Sequence, residues 1–332
     1  MTNIPNSIVD ECKRNNIRIL TINDSDYPER LRNIYDPPKV LYLKGILPNI
    51  DDEPIVAVVG TRNCTPYGMR NTEKICYELS KNGMIVSTGL ALGIDTAAVQ
   101  GGLKGGRPVI AVIGTGVDIP YPASNKQLYK EIIKNGVVIS EYPPGTLAMP
   151  YHFPQRNRIV SGISLGVAVI EAPAKSGALI TADRALEQGR DIFALPGNVD
   201  LKTCKGSNML LRQGAIPFMS ADDIIDEYID MYSDKLTKTY PKETIYVKKQ
   251  FDNRQAVDYI DKGSILEKII FNLDGDEKSI VSTIGENNLH IDDIILGTGL
   301  ETQKVSAALT MLELNGYIGK DQSGKWEIKP PS

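Results

Sequence analysis

The chain has 332 residues, of which 42% are hydrophobic and 23% are charged, and its formal net charge is -4. This length and composition are typical of a soluble protein with room for two or three domains. The negative net charge excludes a general attraction to nucleic acid or anionic lipid, so a polyanion site must be a local patch. No apolar stretch is long enough to span a membrane, and four scattered cysteines without a C-x-x-C pair indicate reduced thiols in the cytoplasm.

The proline-rich residues 1–50 predict a short arm that packs on the main domain rather than folding alone. A helix is expected over 7–15 and strands over 17–22 and 37–45. From 51 to 230, buried strands alternate with helices, and glycine stands at the strand ends. The strands are predicted at 55–59, 84–88, 109–113, 137–140, 165–170 and 191–195. This alternation predicts an α/β domain with a doubly wound, mostly parallel sheet, whose ligands bind at the carboxyl edge.

The composition and the hydrophobic pattern change twice in the last third of the chain. Residues 231–262 have little apolar periodicity and predict a linker. Residues 263–332 predict helices, including one over 264–271, followed by a hairpin that turns at Ser323-Gly324, which is a winged-helix pattern. This module has six lysines, no arginine and eleven acidic residues. A winged helix that reads duplex DNA is normally basic, so contact with another protein is the better interpretation.

The turn after the first of the buried strands is a candidate anion site. Gly60, Thr61 and Arg62 follow the strand, and Thr65-Pro66 marks the start of a helix. Glycine permits close approach of the backbone, Thr61 can hydrogen-bond a phosphate oxygen, and Arg62 can make a bidentate contact. The alternative is a solvated arginine in a tight turn, which the position at a strand's carboxyl end disfavours. The turn is neither G-x-G-x-x-G nor Walker A.

The strongest candidate anion loop lies further along the chain. Lys175, Ser176 and Gly177 follow another buried strand, and Thr181 lies in the helix that begins there. Backbone N–H groups at the start of a helix bind anions. The sequence therefore predicts a phosphate site at this loop.

A segment between these two turns carries an aromatic residue and two arginines. It contains Phe153, Arg156, Asn157 and Arg158, and we expect it to lie between elements rather than inside one. Arginine neutralises phosphates, and a base stacked on an aromatic ring contributes about 1–3 kcal/mol. The alternatives are surface arginines at a helix start, one paired with the glutamate at 141 or 171, and a core position for Phe153. Because all these residues reach one sheet edge, the pattern favours nucleic acid as the ligand.

The sequence gives no catalytic constellation. Asp95, Glu171 and Asp183 are candidate acid–base groups, but nothing places two of them beside a nucleophile, and capping or buried carboxylates are commoner. The chain lacks H-E-x-x-H, G-x-S-x-G and a Cys/His dyad. With two histidines and no cysteine cluster, we expect no metal site, no cofactor and no catalytic activity.

Residues 27–228 carry an ordered set of motifs that resembles the DNA-processing protein A (DprA/Smf) family. The motifs include Val59-Gly-Thr-Arg62, Thr88-Gly-Leu-Ala91, Gly114-Thr-Gly-Val-Asp118, Tyr121-Pro122, Phe153-Pro-Gln-Arg-Asn-Arg158, Ser176-Gly-Ala-Leu-Ile-Thr-Ala182 and Leu195-Pro-Gly197. The resemblance implies a Rossmann-like fold with a terminal winged helix, which binds single-stranded DNA and loads the RecA recombinase in natural transformation. It also implies a homodimer through the Rossmann-like domain.

The resemblance further assigns residues to a DNA pocket. They are Arg62, Gly89, Lys126, Arg156, Arg158, Ser176 and Gly177. The chain departs from the family pattern at Leu92, Val99 and Gly102, where the family usually has Arg, His and Ala. The loss of a basic residue at Leu92 bears directly on DNA affinity.

The sequence thus predicts a non-catalytic single-stranded DNA-binding protein that protects incoming DNA and loads RecA. The alternative is a nucleotide-processing or nucleotide-sensing enzyme of phosphoribohydrolase type. Such enzymes carry a Pro-Gly-Gly-x-Gly-Thr-x-x-Glu loop, which residues 175–181 echo only faintly. A third interpretation is an interaction scaffold that has lost DNA binding, which Leu92 and the acidic tail suggest and which predicts no affinity for oligonucleotides.

Overall fold

The computed structural model describes residues 4–238, 273, 275–285, 288–321 and 324–329. The chain divides into two compact units, Met1–Thr244 and Ile245–Ser332. Within the described residues, no helix is both long enough and apolar enough to cross a membrane. All four cysteines are free, and three of them are buried.

The first unit is built on a nine-stranded sheet in the order β1-β2-β6-β5-β4-β3-β7-β8-β9. All the pairs from β6 to β9 along this order are parallel, whereas β1–β2 and β2–β6 are antiparallel. The doubly wound, mostly parallel sheet that the sequence predicts is therefore confirmed. The strands are β1 (Arg18–Thr21), β2 (Val40–Gly45), β3 (Ile55–Val59), β4 (Ile85–Thr88), β5 (Val109–Val112), β6 (Gly136–Ser140), β7 (Gly166–Val169), β8 (Asp191–Ala194) and β9 (Ile216–Pro217).

Helices cover both faces of this sheet. They are α1 (Asn6–Arg14), α2 (Glu29–Arg32), α3 (Pro66–Lys81), α4 (Ile94–Gly105), α5 (Lys126–Asn135), α6 (His152–Gly162), α7 (Gly177–Glu187), α8 (Lys205–Arg212) and α9 (Ala221–Ile225). Successive side chains of a strand point to opposite faces, so β3 contributes to two cores. Ile55, Ala57 and Val59 enter one core, and Val56 and Val58 enter the other. Burial on both faces explains the continuous apolar run of this strand.

The first 50 residues are more closely integrated than the arm that the sequence predicts. Arg18 to Thr21 pair with Leu43 to Val40, and β2 in turn pairs with β6 from Tyr42↔Ser140 to Gly45↔Val137. Without β2, β6 would be an edge strand with unpaired backbone N–H and C=O groups. β2 pairs with these groups. These residues form two strands of the main sheet.

The first part of the predicted linker also packs on this unit. The backbone N–H of Thr237 donates to the carbonyl oxygen of Asn82 at 3.0 Å, and Leu236 is buried in the core beside α3. The apolar positions Tyr232 and Leu236 lie four residues apart, which places them on one side of a helical turn. The remainder of the predicted linker and the predicted helix 264–271 lie outside the described residues.

The second unit contains three described helices followed by a hairpin. They are α10 (Gly275–Ile284), α11 (Ile291–Thr298) and α12 (Thr302–Leu314), and the antiparallel strands are β10 (Ile318–Lys320) and β11 (Trp326–Ile328). Val305, Leu309 and Leu312 of α12 are buried against Ile318 and Trp326. Helices followed by a hairpin on one core are the winged-helix arrangement that the sequence predicts.

Candidate nucleic-acid interface

The sheet reverses its winding between β3 and β7. β3 has β4 on one side and β7 on the other, so the connections that leave the two strands run in opposite directions. In open α/β sheets the carboxyl ends of the strands at such a reversal open a crevice that holds ligands. The loop after β3 and the loop after β7 both begin there, and the backbone N–H of Thr61 joins them by donating to the carbonyl oxygen of Glu171 at 2.7 Å.

A cavity of about 530 Å³ occupies this crevice, and we call it the switch-point cavity. Eleven of the thirteen DNA-binding residues that the sequence predicts line it. They are Gly60, Thr61, Arg62, Gly89, Phe153, Arg156, Asn157, Lys175, Ser176, Gly177 and Thr181. Residues from four separate stretches of sequence therefore converge on one site. The other two predicted residues, Lys126 and Arg158, do not line the cavity.

The Glu171 carboxylate fixes the wall between β7 and α3. Its oxygens accept hydrogen bonds from the backbone N–H of Thr65 at 2.9 Å and from the Thr65 hydroxyl. Thr65 also caps α3 by accepting from the N–H of Gly68 at 3.1 Å. A Cβ on Gly68 would lie 2.6 Å from the Glu171 carboxyl carbon, so the close packing requires glycine there. Glu171 is 1% exposed and acts as a cross-brace of the site.

Arg62 is an exposed cation of the cavity. Its guanidinium carbon lies 5.4 Å from the centroid of the Phe153 ring, and that ring lies 5.4 Å from the ring of Tyr121. In the described part of the chain the Arg62 side chain has no hydrogen bond or ion pair. A cation held over an aromatic face by attraction to the ring remains available to a phosphate.

Arg156 has a different environment, because the segment that carries it is helical. The prediction that residues 153–158 lie between elements was wrong, because all of them lie in α6. The Arg156 guanidinium is buried and donates to the carbonyl oxygens of Gly89, at 2.7 Å, and Val112, and its Nε donates to Asn157 Oδ1 at 3.2 Å. A Cβ on Gly89 would lie 2.5 Å from Arg156 Nη2. Arg156 therefore ties α6 to the ends of β4 and β5.

Burial governs the ionisation of Arg156 and its neighbour Asp95. Desolvation lowers the pKa of Arg156 to about 10, an effect that the Asp95 charge opposes and the Arg62 charge reinforces. Desolvation likewise raises the pKa of Asp95, while Arg156 and the backbone N–H of Ala91 act to lower it. The opposite charges of Arg156 and Asp95 stabilise each other in the cavity wall.

The third wall of the cavity is the start of α7. Ser176 caps this helix, because its Oγ accepts from the N–H of Ala178 at 3.2 Å. Asn157 Nδ2 donates to the carbonyl oxygen of Gly177 at 3.2 Å and so holds α6 against the helix start. Lys175 precedes the cap and is exposed. The positive end of the helix dipole and the Lys175 ammonium thus face the same cavity, which favours an anion.

Arg158 and Lys126 lie elsewhere. Arg158 forms ion pairs with Glu141 at 2.7 Å and with Asp36 at 3.0 Å. The sequence left open that either Arg156 or Arg158 pairs with Glu141, and the structure shows this pair for Arg158. Arg158 is one position off the helix face that carries Phe153 and Asn157, so its side chain points away from the cavity. Lys126 is exposed at the first position of α5.

The structure adds cavity residues that the sequence analysis did not select. Tyr121 and Ile180 line the cavity, and Leu92 lines a smaller adjoining cavity together with Arg62 and Phe153. Tyr121 belongs to the Tyr121-Pro122 motif of the DprA/Smf resemblance, and this motif is the sequence signal that could have identified it as a cavity residue. Leu90 adopts a positive φ of 55°, and Asn125 Nδ2 supports it by donating to the Leu90 carbonyl oxygen at 3.2 Å. Strained non-glycine backbone is commoner at functional sites.

A doubly wound sheet with a cationic, partly aromatic cavity at its switch point, followed by a separate winged helix, defines a Rossmann-like protein with a candidate anion-binding site. Residues 18–229 match the family model described as DNA recombination-mediator protein A, and residues 269–321 match the DprA winged helix domain. The chain therefore belongs to the DNA-processing protein A (DprA/Smf) family, as the motifs predicted.

Relatives of known name cover most of the chain. Protein Smf from Synechocystis is 34% identical over 97% of this chain and 83% of its own length. DNA processing protein DprA from Streptococcus pneumoniae is 44% identical over 63% of this chain and 73% of its own length. The crystal structure of the pneumococcal protein superposes with a TM-score of 0.63, covering 68% of this chain and 78% of that one.

A second solved structure, from a study of DNA binding, is also similar to this chain. DNA processing protein A from Helicobacter pylori, in a study of its single-stranded DNA binding mode, is 31% identical and superposes with a TM-score of 0.59. The match covers 65% of this chain and 97% of that one.

Proposed function

We propose that this chain binds single-stranded DNA in the switch-point cavity. The observation that carries the proposal is the exposed Arg62 guanidinium over the face of Phe153, beside the start of α7. A cation next to an aromatic face matches the alternation of phosphate and base along a single strand. In a duplex the bases are stacked on each other, so their faces are not available to Phe153.

The family relationship supports the same ligand. The Helicobacter protein, whose structure was studied for its single-stranded DNA binding, aligns over 97% of its length. The net charge of -4 of this chain makes a local cationic cavity the necessary place for a polyanion. Leu92 removes one cation that the family usually has, and we expect affinity below that of relatives with arginine at this position.

We further propose that the site binds DNA without cleaving it. Both carboxylates nearest the cavity serve structural hydrogen bonds, Glu171 to Thr65 and Asp95 to the N–H of Ala91. A general base needs a carboxylate within hydrogen-bond reach of its substrate. Asp95 lines the cavity, but its carboxylate is engaged by the Ala91 N–H and the Arg156 charge, and the Glu171 carboxylate is engaged by Thr65, which disfavours the phosphoribohydrolase alternative.

The wider role that we propose is protection of incoming DNA and its transfer to RecA during natural transformation. The matched family description, a DNA recombination-mediator protein, supports this role. We propose a homodimer through the Rossmann-like unit, with support from Leu186, an exposed apolar side chain of α7. The acidic winged helix is proposed to contact protein rather than duplex DNA.

Two measurements separate these proposals. A fluorescent dT oligonucleotide is titrated with the protein, with deoxythymidine monophosphate and the matching duplex as competitors, and product formation is followed by chromatography. We expect the oligonucleotide to bind, the duplex to compete weakly and no nucleotide to be hydrolysed. Hydrolysis of the monophosphate would instead support the enzyme alternative. RecA loading is tested separately, as stimulation of RecA ATPase activity on DNA coated with single-strand binding protein.

A further inference from the structure

A second basic surface lies beside the switch-point cavity. The segment 197–208, which we call the lysine loop, follows β8 and carries the exposed residues Lys202 and Lys205. Lys175 is exposed as well and lines the cavity. Among the described residues, none of these three ammonium groups has an ion pair or a hydrogen bond. Unpaired cations at a shared edge are available to bound phosphates.

The lysine loop is held in a fixed shape. The N–H of Gly197 donates to Asn208 Oδ1 at 3.1 Å, and Asn208 Nδ2 donates back to the carbonyl oxygen of Gly197 at 3.0 Å. Cys204 is buried inside the loop, and a Cβ on Gly197 would clash with its Sγ. Because the loop is closed at its base and filled by Cys204, binding on it costs little ordering of the backbone.

The loop is joined to the wall of the cavity. The N–H of Gly206 donates to the carbonyl oxygen of Ala172 at 2.7 Å, and a Cβ on Gly206 would lie 2.7 Å from the carbonyl oxygen of Pro173. Pro173 itself lines the cavity. Lys205 directly precedes Gly206, so the lysine loop continues the cationic edge that begins at Lys175.

The loop combines charge with apolar surface. Val199 and Leu201 are exposed, and Asp200 between them is the acidic residue of the segment. Lysines suit the phosphates of a nucleic acid, and contact between the exposed apolar side chains and unstacked bases removes apolar surface from water. A duplex offers no free base faces to Val199 and Leu201, so this combination favours a single strand.

We propose that the lysine loop binds the phosphates of the single strand where it leaves the switch-point cavity. A short strand fills the cavity alone, whereas a longer strand also contacts Lys202 and Lys205. This inference rests on the proposed binding of single-stranded DNA in the cavity. It adds a length dependence that the cavity by itself does not produce.

The test compares two oligonucleotides and two double variants. Labelled dT strands of roughly six and roughly twenty nucleotides are titrated with the wild type and with Lys202→Ala/Lys205→Ala across a salt series. The control is Lys81→Ala/Lys134→Ala, which removes the same charge from the ends of α3 and α5, at the opposite edge of the sheet. Circular dichroism and a thermal melt establish that each variant is folded.

We expect the loop variant to bind the short strand as the wild type does and to bind the long strand roughly three- to tenfold more weakly. Its log–log salt slope for the long strand falls by about 1.4, because two phosphate contacts are lost. Unchanged binding of the long strand, or equal weakening of both strands, would overturn the inference and leave the cavity proposal intact. Failure of the wild type to bind either strand would instead overturn the proposed function.

Discussion

Arg62 and Phe153 form a cation–π pair across the switch-point cavity, with 5.4 Å between the guanidinium carbon and the ring centroid. The two residues are 91 positions apart in the sequence. They meet because Arg62 follows β3 and Phe153 lies in the first turn of α6, whose chain continues into β7 beside β3. The pair therefore depends on the topology of the sheet rather than on local sequence.

Phe153→Leu tests whether the ring is a stacking platform. Leucine keeps an apolar side chain at this half-buried position but offers no aromatic face, so affinity for single-stranded dT is expected to fall by about 1–3 kcal/mol. Fluorescence anisotropy measures the change, and Phe153→Tyr, which retains the ring, is the matched control with affinity near that of the wild type. Equal binding by the leucine variant would mean that Phe153 serves the core and not the DNA.

Gly89→Ala tests the packing of the buried arginine. The added Cβ lies 2.5 Å from Arg156 Nη2, so the guanidinium must move away from the carbonyl oxygens of Gly89 and Val112. We expect the free energy of unfolding to fall by about 2–4 kcal/mol, measured by denaturant titration.

Gly177→Ala is the matched control for this change. A Cβ on Gly177 meets no atom within 4 Å, and the residue opens α7. Alanine there is expected to leave stability unchanged or to raise it by up to about 1 kcal/mol. Comparable destabilisation by both alanines would show that the Arg156 contacts do not explain the effect.

Glu171→Gln tests the cross-brace beneath the cavity. Glutamine has one acceptor oxygen where the carboxylate accepts from both the N–H and the hydroxyl of Thr65, so one buried contact loses its acceptor. The expected loss of stability is about 1–3 kcal/mol in a thermal or denaturant melt. Asp183→Asn, which alters an exposed carboxylate of α7, is expected to change nothing. Equal melting of Glu171→Gln and the wild type would contradict the structural role of these hydrogen bonds.

Alkaline pH is expected to destabilise the fold through the half-buried Tyr142. Burial and the neighbouring Glu141 charge together raise the pKa of Tyr142 from 10.0 to about 12. Because the folded state binds this proton more tightly than the unfolded state, the stabilisation is full below pH 10 and is lost as the pH rises towards 12.

Tyr142→Phe therefore reduces the loss of stability between those two pH values, as followed by denaturant titration at each pH. The Tyr142 ring stacks on His152 at 3.8 Å, and phenylalanine preserves that contact while removing the ionisable hydroxyl. Tyr35→Phe, at a fully exposed position, is the control with an unchanged pH profile. An unaltered profile for Tyr142→Phe would contradict the assignment.

The fold was largely predictable because its signals are local. The apolar runs of β3, β5 and β7 are buried on both faces, and a glycine closely follows β3 and β5, so the hydrophobic pattern and the composition determine the element type. The pairing of β1 with β2 and of β2 with β6 was not predictable, because a short strand with mixed burial carries no signal for its partner. The sequence showed strands in the arm but not that they join the main sheet.

The site was predictable as a set of residues but not as a set of roles. Arg62, Arg156 and Arg158 look alike in the sequence, yet one is exposed in the cavity, one is buried in its wall and one is paired with Glu141 and Asp36. Arg62 is exposed because it follows β3 in a loop. Arg156 and Arg158 differ because each residue of α6 is turned by about 100° from the one before it. The sequence predicted Phe153 and its neighbours outside any element, so this rotation was not foreseen.

The most direct test of the account is the salt dependence of dT binding by the wild type and by Arg62→Ala. Arg62 is exposed and has no polar partner in the described chain, so its removal is expected to leave the thermal melt unchanged. Arg14→Ala on α1 is the charge-matched control. The account predicts binding roughly tenfold weaker for Arg62→Ala at low salt and a log–log slope shallower by about 0.7, since one phosphate contact is lost. Identical affinity and slope for the wild type and Arg62→Ala would contradict the assignment of the cavity to DNA.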